Sequence, residues 1–108
     1  MVLKKVPVFR TKKEAFEWLK NGRKTIDVRK GVPWRGENAV YLCGRNVLRL
    51  KISKREMGRI EDVVRSDNYR LIIPSAGTID EAVDYLRRLY CGYDGVFTAY
   101  HVFSLTEK

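Results

Sequence analysis

Between residues 46 and 53, Leu48, Leu50 and Ile52 alternate with Arg49 and Lys51. A period of two sets the aliphatic side chains on one face of a strand and the cations on the other. Residues 39–43 read the same way, with Val40 and Leu42 towards the core, and Gly44-Arg45 joins the two strands as a tight hairpin. Three further segments predict strands. Residues 5–10 open the sheet, with Pro7 marking an edge. Residues 24–29 alternate Ile26 and Val28 with Thr25, Asp27 and Arg29. Residues 95–105 form a longer closing strand.

A helical period separates these runs. Thr11 and Glu14 make a T-x-x-E capping box, Ala15, Phe16 and Leu19 line one face, and Asn21-Gly22 stop the helix. A second box, Thr78 to Glu81, starts a helix on which Ile79, Ala82, Val83, Leu86, Leu89 and Tyr90 share a face. Arg87 and Arg88 sit near its C-terminus, where the helix dipole favours cations. A short helix is expected over residues 60–66, a loop over 31–36, and Pro74 closes the apolar run Leu71-Ile72-Ile73. Five half-apolar strands with two or three helices predict an α+β fold built on a small mixed β-barrel. With no repeat and no linker, residues 1–108 read as one domain.

Composition narrows the setting. The chain has 44% hydrophobic residues and no apolar run of membrane-spanning length. The N-terminus lacks the apolar core of a signal peptide, so a cytoplasmic protein is expected. Cys43, Cys91 and the single His101 are too few and too scattered for a zinc site, so no metal and no cofactor are expected. The cysteines read as small buried apolar residues. The lack of glutamine beside many Lys and Arg, a thermophile-like composition, keeps a disulfide open. His101, between Tyr100 and Val102, reads as a structural histidine.

Charge is distributed unevenly. Residues 1–60 carry 17 basic and 5 acidic side chains (+12), and residues 61–108 carry 5 and 8 (−3), giving the total of +9. A basic first half predicts a surface that faces a polyanion.

Within it lies Gly22-Arg23-Lys24-Thr25-Ile26-Asp27-Val28-Arg29. Gly22 allows positive φ and close approach of a ligand. Lys24 offers a compact cation, or a base or nucleophile if desolvated. Asp27 can accept from an exocyclic amine, and Arg29 presents a planar fork. Asp27 and Arg29 share a strand face, so Lys24, of opposite parity, must lie at the strand mouth or at a bulge to join them. Trp34 and Arg35 follow in the next loop, and Tyr69, Tyr90 and Tyr93 fall near helix ends. For Trp34, stacking or cleft-lining stands against core packing; for Tyr90 the spacing favours core.

This segment resembles the GxKxxExR motif of the ASCH family, of the PUA-like superfamily, with Asp27 in place of Glu. The stretches Tyr69 to Pro74, Thr78 to Tyr90 and Gly95 to Tyr100 resemble the family's C-terminal half, so the likeness covers nearly the whole chain. It is that of a small, single-domain, archaeal-type member. The resemblance implies a PUA-like barrel that binds RNA or a modified nucleoside through the motif residues Gly22, Arg23, Lys24, Asp27 and Arg29, and charge and aromatic character add Lys30, Trp34 and Arg35 as candidate contacts. It also implies an alternative, since some members are amidohydrolases that deacetylate N4-acetylcytidine with a Lys, a Thr and a Glu. Lys24 and Asp27 are then the catalytic candidates, but Asp27 stands where those members have threonine, and Glu61 and Asp62 lack a matching motif. A basic module that meets an acidic protein is the third reading. RNA or a nucleoside is the expected partner, no membrane is involved, and a monomer is favoured.

Overall fold

A computed structural model describes residues 7–104. Its elements in chain order are β1 (Val8–Arg10), α1 (Lys13–Lys20), β2 (Ile26–Lys30), β3 (Asn38–Cys43) and β4 (Asn46–Gly58). Then come α2 (Ile60–Val63), α3 (Tyr69–Ile72), α4 (Ile79–Leu89) and β5 (Phe97–Ser104). The strands form one sheet in the order β1-β3-β4-β5-β2. β1 runs parallel to β3 and the other pairs are antiparallel, so the sheet is mixed as expected. It curls into a half-barrel with β1 and β2 as its edges, the α+β architecture that the pattern of elements predicts and the PUA-like fold that the resemblance implies.

Each face of the sheet carries a core. One gathers Ile26, Val28, Phe97 and Ala99 against Trp18 of α1 and Ile60, Ile72, Ala82 and Leu86 of the later helices. The other, concave, face holds Phe9, Tyr41, Leu50, Ile52, Tyr100 and Val102, closed by Phe16 and Leu19 of α1. α1 therefore serves both, because its apolar residues form two stripes rather than one.

The structure differs from the sequence pattern at several points. α1 begins one residue beyond its expected cap: Lys12 takes the N-cap position without a side-chain bond, while the Thr11 hydroxyl donates to the Phe9 carbonyl at 3.3 Å. β2 begins at Ile26 rather than Lys24. In β3 the concave face is filled by Ala39 and Tyr41, both fully buried, rather than by Val40 and Leu42; Val40 is buried as well, while Leu42 is half-exposed. The Tyr41 ring packs 5.5 Å from Phe9, and that aromatic contact decides which face turns inward. β4 continues through a register shift between Ile52 and Lys54 to Gly58, well past the expected end at Ser53. A bulge keeps the ladder going where strict alternation fails. Among the described residues four helices replace the expected two or three: α2 stops at Val63, and α3 takes up part of the run before Pro74.

β1 starts at Val8, and residues 5 and 6 of the expected opening strand lie outside the described residues, as does Leu105 of the closing strand. Cys43 is half-buried and Cys91 exposed, both as free thiols, so neither reads as a core residue. No helix among the described residues is long and apolar enough to cross a membrane.

Candidate ligand-binding cleft

The loop from α1 into β2 builds the site. Gly22 takes φ +80 and turns the chain after α1. The Lys24 amide then donates to the Trp18 carbonyl and the Thr25 amide to the Leu71 carbonyl. These bonds put Lys24 just ahead of the strand, where its side chain turns under β2 instead of following strand parity. Its ammonium donates to the carbonyls of Ile26 (3.1 Å) and Ile72, and lies 3.9 Å from Asp27 Oδ1.

Asp27 and Arg29 leave the concave face of β2, opposite Tyr100 and Thr98 of β5. Arg29 Nε donates to Asp27 Oδ2 at 2.7 Å. Its two terminal nitrogens reach the Arg10 carbonyl (3.0 Å) and the Thr11 hydroxyl (3.2 Å). The guanidinium carbon sits 4.5 Å above the Phe9 ring, a cation–π contact. Lys24, Asp27 and Arg29 thus form one buried, charge-alternating network, in which the carboxylate offsets two cations.

Burial pushes the Lys24 amine down to about 8, against the opposing pull of Asp27. Burial alone would raise the Asp27 carboxyl, but the charges of Arg29 and Lys24 outweigh it and hold it below the usual carboxylate range. Arg29 moves the other way: burial lowers it, and Asp27 more than reverses that.

A cleft of about 430 Å³ opens over this network. That is within the ~300–1,000 Å³ usual for small-molecule sites. Lys24, Asp27 and Arg29 line it, with Trp18, Tyr85, Leu86, Leu89 and Tyr90 as apolar walls and Arg10, Thr11 and Lys12 along the α1 side. The Trp18 and Tyr85 rings are 6.3 Å apart and tilted by 48°. The Tyr90 hydroxyl donates to the Val28 carbonyl at 2.9 Å, and burial pushes its pKa up to about 12. Asp27 is the one carboxylate among the described lining residues.

The cleft brings together three of the eight residues singled out in the sequence. Gly22, Arg23 and Lys30 lie outside it, exposed, with the Lys30 ammonium 4.9 Å from the Tyr93 ring. Trp34 and Arg35 are exposed on the loop between β2 and β3. Glu61 pairs loosely with Arg87, and Asp62 accepts from the Arg59 amide; neither lines the cleft. Trp18 and Tyr85 escaped the sequence reading. Trp18 lies three residues after Ala15, a spacing that marks a second apolar stripe on α1 and was a usable signal.

His101 is half-buried, with Nε2 at 3.4 Å from Glu56. No group of three or more His, Cys, Asp or Glu side chains converges among the described residues.

Fold and cleft together define a small PUA-like domain with a charged, aromatic-walled pocket at the edge of its half-barrel. Solved structures resemble it over most of the chain, ASCH from Zymomonas mobilis among them. The hypothetical protein PH0355 superimposes with TM-score 0.73 at 17% identity, over 91% of this chain and 97% of that one. ASCH from Zymomonas mobilis gives 0.67 at 18%, over 94% and 69%, and PF0455 from Pyrococcus furiosus 0.67 at 17%, over 95% and 100%. The chain therefore has an ASCH-like fold. No protein-family model matches the sequence, and neither does any curated protein.

Proposed function

We propose that the cleft receives a base of RNA or a modified nucleoside, with phosphates held by cations at its mouth. The observation that supports this most directly is the pairing of aromatic walls with a single fixed acceptor. Trp18, Tyr85 and Tyr90 offer apolar and stacking surface, and Asp27 presents a charged carboxylate to a base N–H. Lys24 and Arg29 hold that carboxylate in place more than they contact the ligand, since main-chain carbonyls already take much of their donor capacity. Arg10 and Lys12 at the rim, with exposed Arg23, Lys30 and Arg35, supply the phosphate contacts. The ASCH-like fold and the basic first half agree with this reading.

The test is retention of tRNA on a filter across a salt series, with a nucleoside panel soaked into crystals. Affinity is expected to fall steeply with salt, by about 0.7 log units per log unit of salt for each single-strand phosphate contact. Lys24→Ala and Arg29→Ala should weaken it. Absence of salt-sensitive retention at low ionic strength sinks the proposal.

One observation favours a second reading, an amidohydrolase acting on N4-acetylcytidine or a related acylated nucleoside. A buried amine at about 8 is partly neutral near physiological pH, as a general base or nucleophile requires. Release of acetate that rises as pH passes 8 and vanishes in Lys24→Ala would establish it.

A further inference from the structure

We infer that the ligand carries a phosphate, and that a second cavity, opening from the cleft between α1 and α4, receives it. This rests on the reading of the cleft as a base pocket and fixes the direction in which the rest of the nucleotide leaves it. The second cavity measures about 310 Å³ and is lined by Lys12, Glu14, Tyr85, Arg88 and Leu89. Lys12, Tyr85 and Leu89 also line the cleft, so the two cavities form one continuous groove. The inner part of that groove has aromatic walls and the outer part has charged ones. A nucleotide has the same order, since its phosphate lies one ribose beyond its base.

Two helices build the outer part. Tyr85, Arg88 and Leu89 stand three and four residues apart and so share one face of α4. The Arg88 side chain is 75% exposed, with Nη2 at 3.2 Å from Asp84 Oδ2. A guanidinium carries five N–H donors, so one exposed carboxylate leaves much of the fork for a phosphate. Lys12, exposed at the head of α1, supplies a second cation from the other side. Arg88 belongs to the net-negative half of the sequence, and only the packing of α4 beside α1 brings it next to the basic half. Glu14 is the one acid among the described residues that line this cavity. It lies near Tyr85, whose phenol is pushed up by burial and by the Glu14 charge. Two cations from separate helices can grip one phosphate together, and a free nucleoside gains nothing from them.

The experiment measures the common ribonucleosides, their 5′- and 3′-monophosphates and a short unstructured RNA against wild type, Arg88→Ala, Glu14→Gln and Asp84→Ala. All three positions are exposed, and thermal unfolding checks that the variants fold. Arg88→Ala is expected to lose roughly tenfold in affinity for the phosphate-bearing ligands and nothing for the nucleosides. Glu14→Gln removes the opposing charge and should bind the same ligands about threefold more tightly, as for an exposed charge pair. Asp84→Ala frees the guanidinium and should not weaken them; a loss there equal to that of Arg88→Ala assigns the effect to the salt bridge and overturns the proposal. Tighter binding of the RNA than of either monophosphate marks a strand as the source of the phosphate, and the reverse order a free nucleotide; both support the subsite. Equal wild-type affinity for nucleosides and monophosphates, or an Arg88→Ala loss shared by the nucleosides, overturns it and leaves the cleft reading intact. Wild type that binds none of these ligands overturns both readings.

Discussion

Arg29 of β2 donates through Nη1 to the carbonyl oxygen of Arg10 in β1 at 3.0 Å. The two strands are the opposite edges of the sheet, so a side chain joins what the backbone leaves unpaired. Unpaired edges invite foreign strands, and a charged cover discourages them. The same guanidinium fixes Asp27, which makes closure of the half-barrel and shape of the cleft one event. A lysine at this position keeps the charge but cannot span Asp27, Arg10 and Thr11 together. Arg29→Lys is expected to lose about 1.5–3 kcal/mol in urea unfolding, the range for hydrogen bonds to a charged group. An unchanged midpoint would show that the seam carries no weight.

Asp27 is the centre of the network, and removing its charge strands two buried cations. Asp27→Asn should destabilise the fold at neutral pH by roughly 3–5 kcal/mol, as for other broken buried pairs. The sign with pH follows from its depressed pKa. A carboxyl held below its unfolded value contributes fully above that value and loses the contribution as pH falls through the folded one. Wild type and Asp27→Asn should therefore converge in acid. Urea curves at several pH values between neutral and about 3 measure this, and a constant gap contradicts it.

Lys24 produces an effect at the other end of the scale. Its amine is pushed down to about 8 from 10.5, so between those values the unfolded chain binds more protons than the folded one. Stability then rises with pH across that window, as the buried charge is shed. Relative to Lys24→Met, wild type should gain on the order of 2 kcal/mol from pH 7 to pH 10. The comparison cancels the tyrosines, whose raised values act above pH 10 in the opposite sense. Parallel curves for the two proteins would mean that the ammonium stays charged.

What the sequence made legible is what local chemistry settles. The Gly44-Arg45 hairpin and the α4 stripe follow from turn residues and spacing alone, whereas spacing leaves Lys24 at the strand mouth or at a bulge and the main-chain bonds of Lys24 and Thr25 choose the mouth. The inward face of β3 is not settled locally, because alternation allows either parity and only the ring contacts of Tyr41 with Phe9, and of Phe9 with Tyr100, choose between them. The extension of β4 past Ser53 rests on pairing with β5, a partner distant in the chain, as in Lys54 with His101 and Gly58 with Phe97. The cleft divides the same way. Lys24, Asp27 and Arg29 are neighbours in sequence, whereas Arg10, Trp18 and Tyr85 join them only when α1 and α4 pack beside β2.

The two T-x-x-E boxes show how tertiary contacts override a local signal, and they yield a paired test. Thr78 behaves as its box predicts: its hydroxyl accepts from the Glu81 amide at 3.2 Å and caps α4. Thr11 stands one residue too early to cap α1, and its hydroxyl instead accepts from Arg29 at 3.2 Å in the wall of the cleft. Thr78→Ala should therefore cost about 1 kcal/mol of stability, the usual loss for an N-cap, and leave ligand affinity unchanged. Thr11→Val keeps the shape, removes the hydroxyl, and should loosen the Arg29 fork. Its effect is expected on ligand affinity more than on the helix content of α1. Helix-selective amide exchange in α1 and binding to the cleft ligand separate the two roles. Faster exchange throughout α1 with unchanged binding would assign Thr11 to the helix after all.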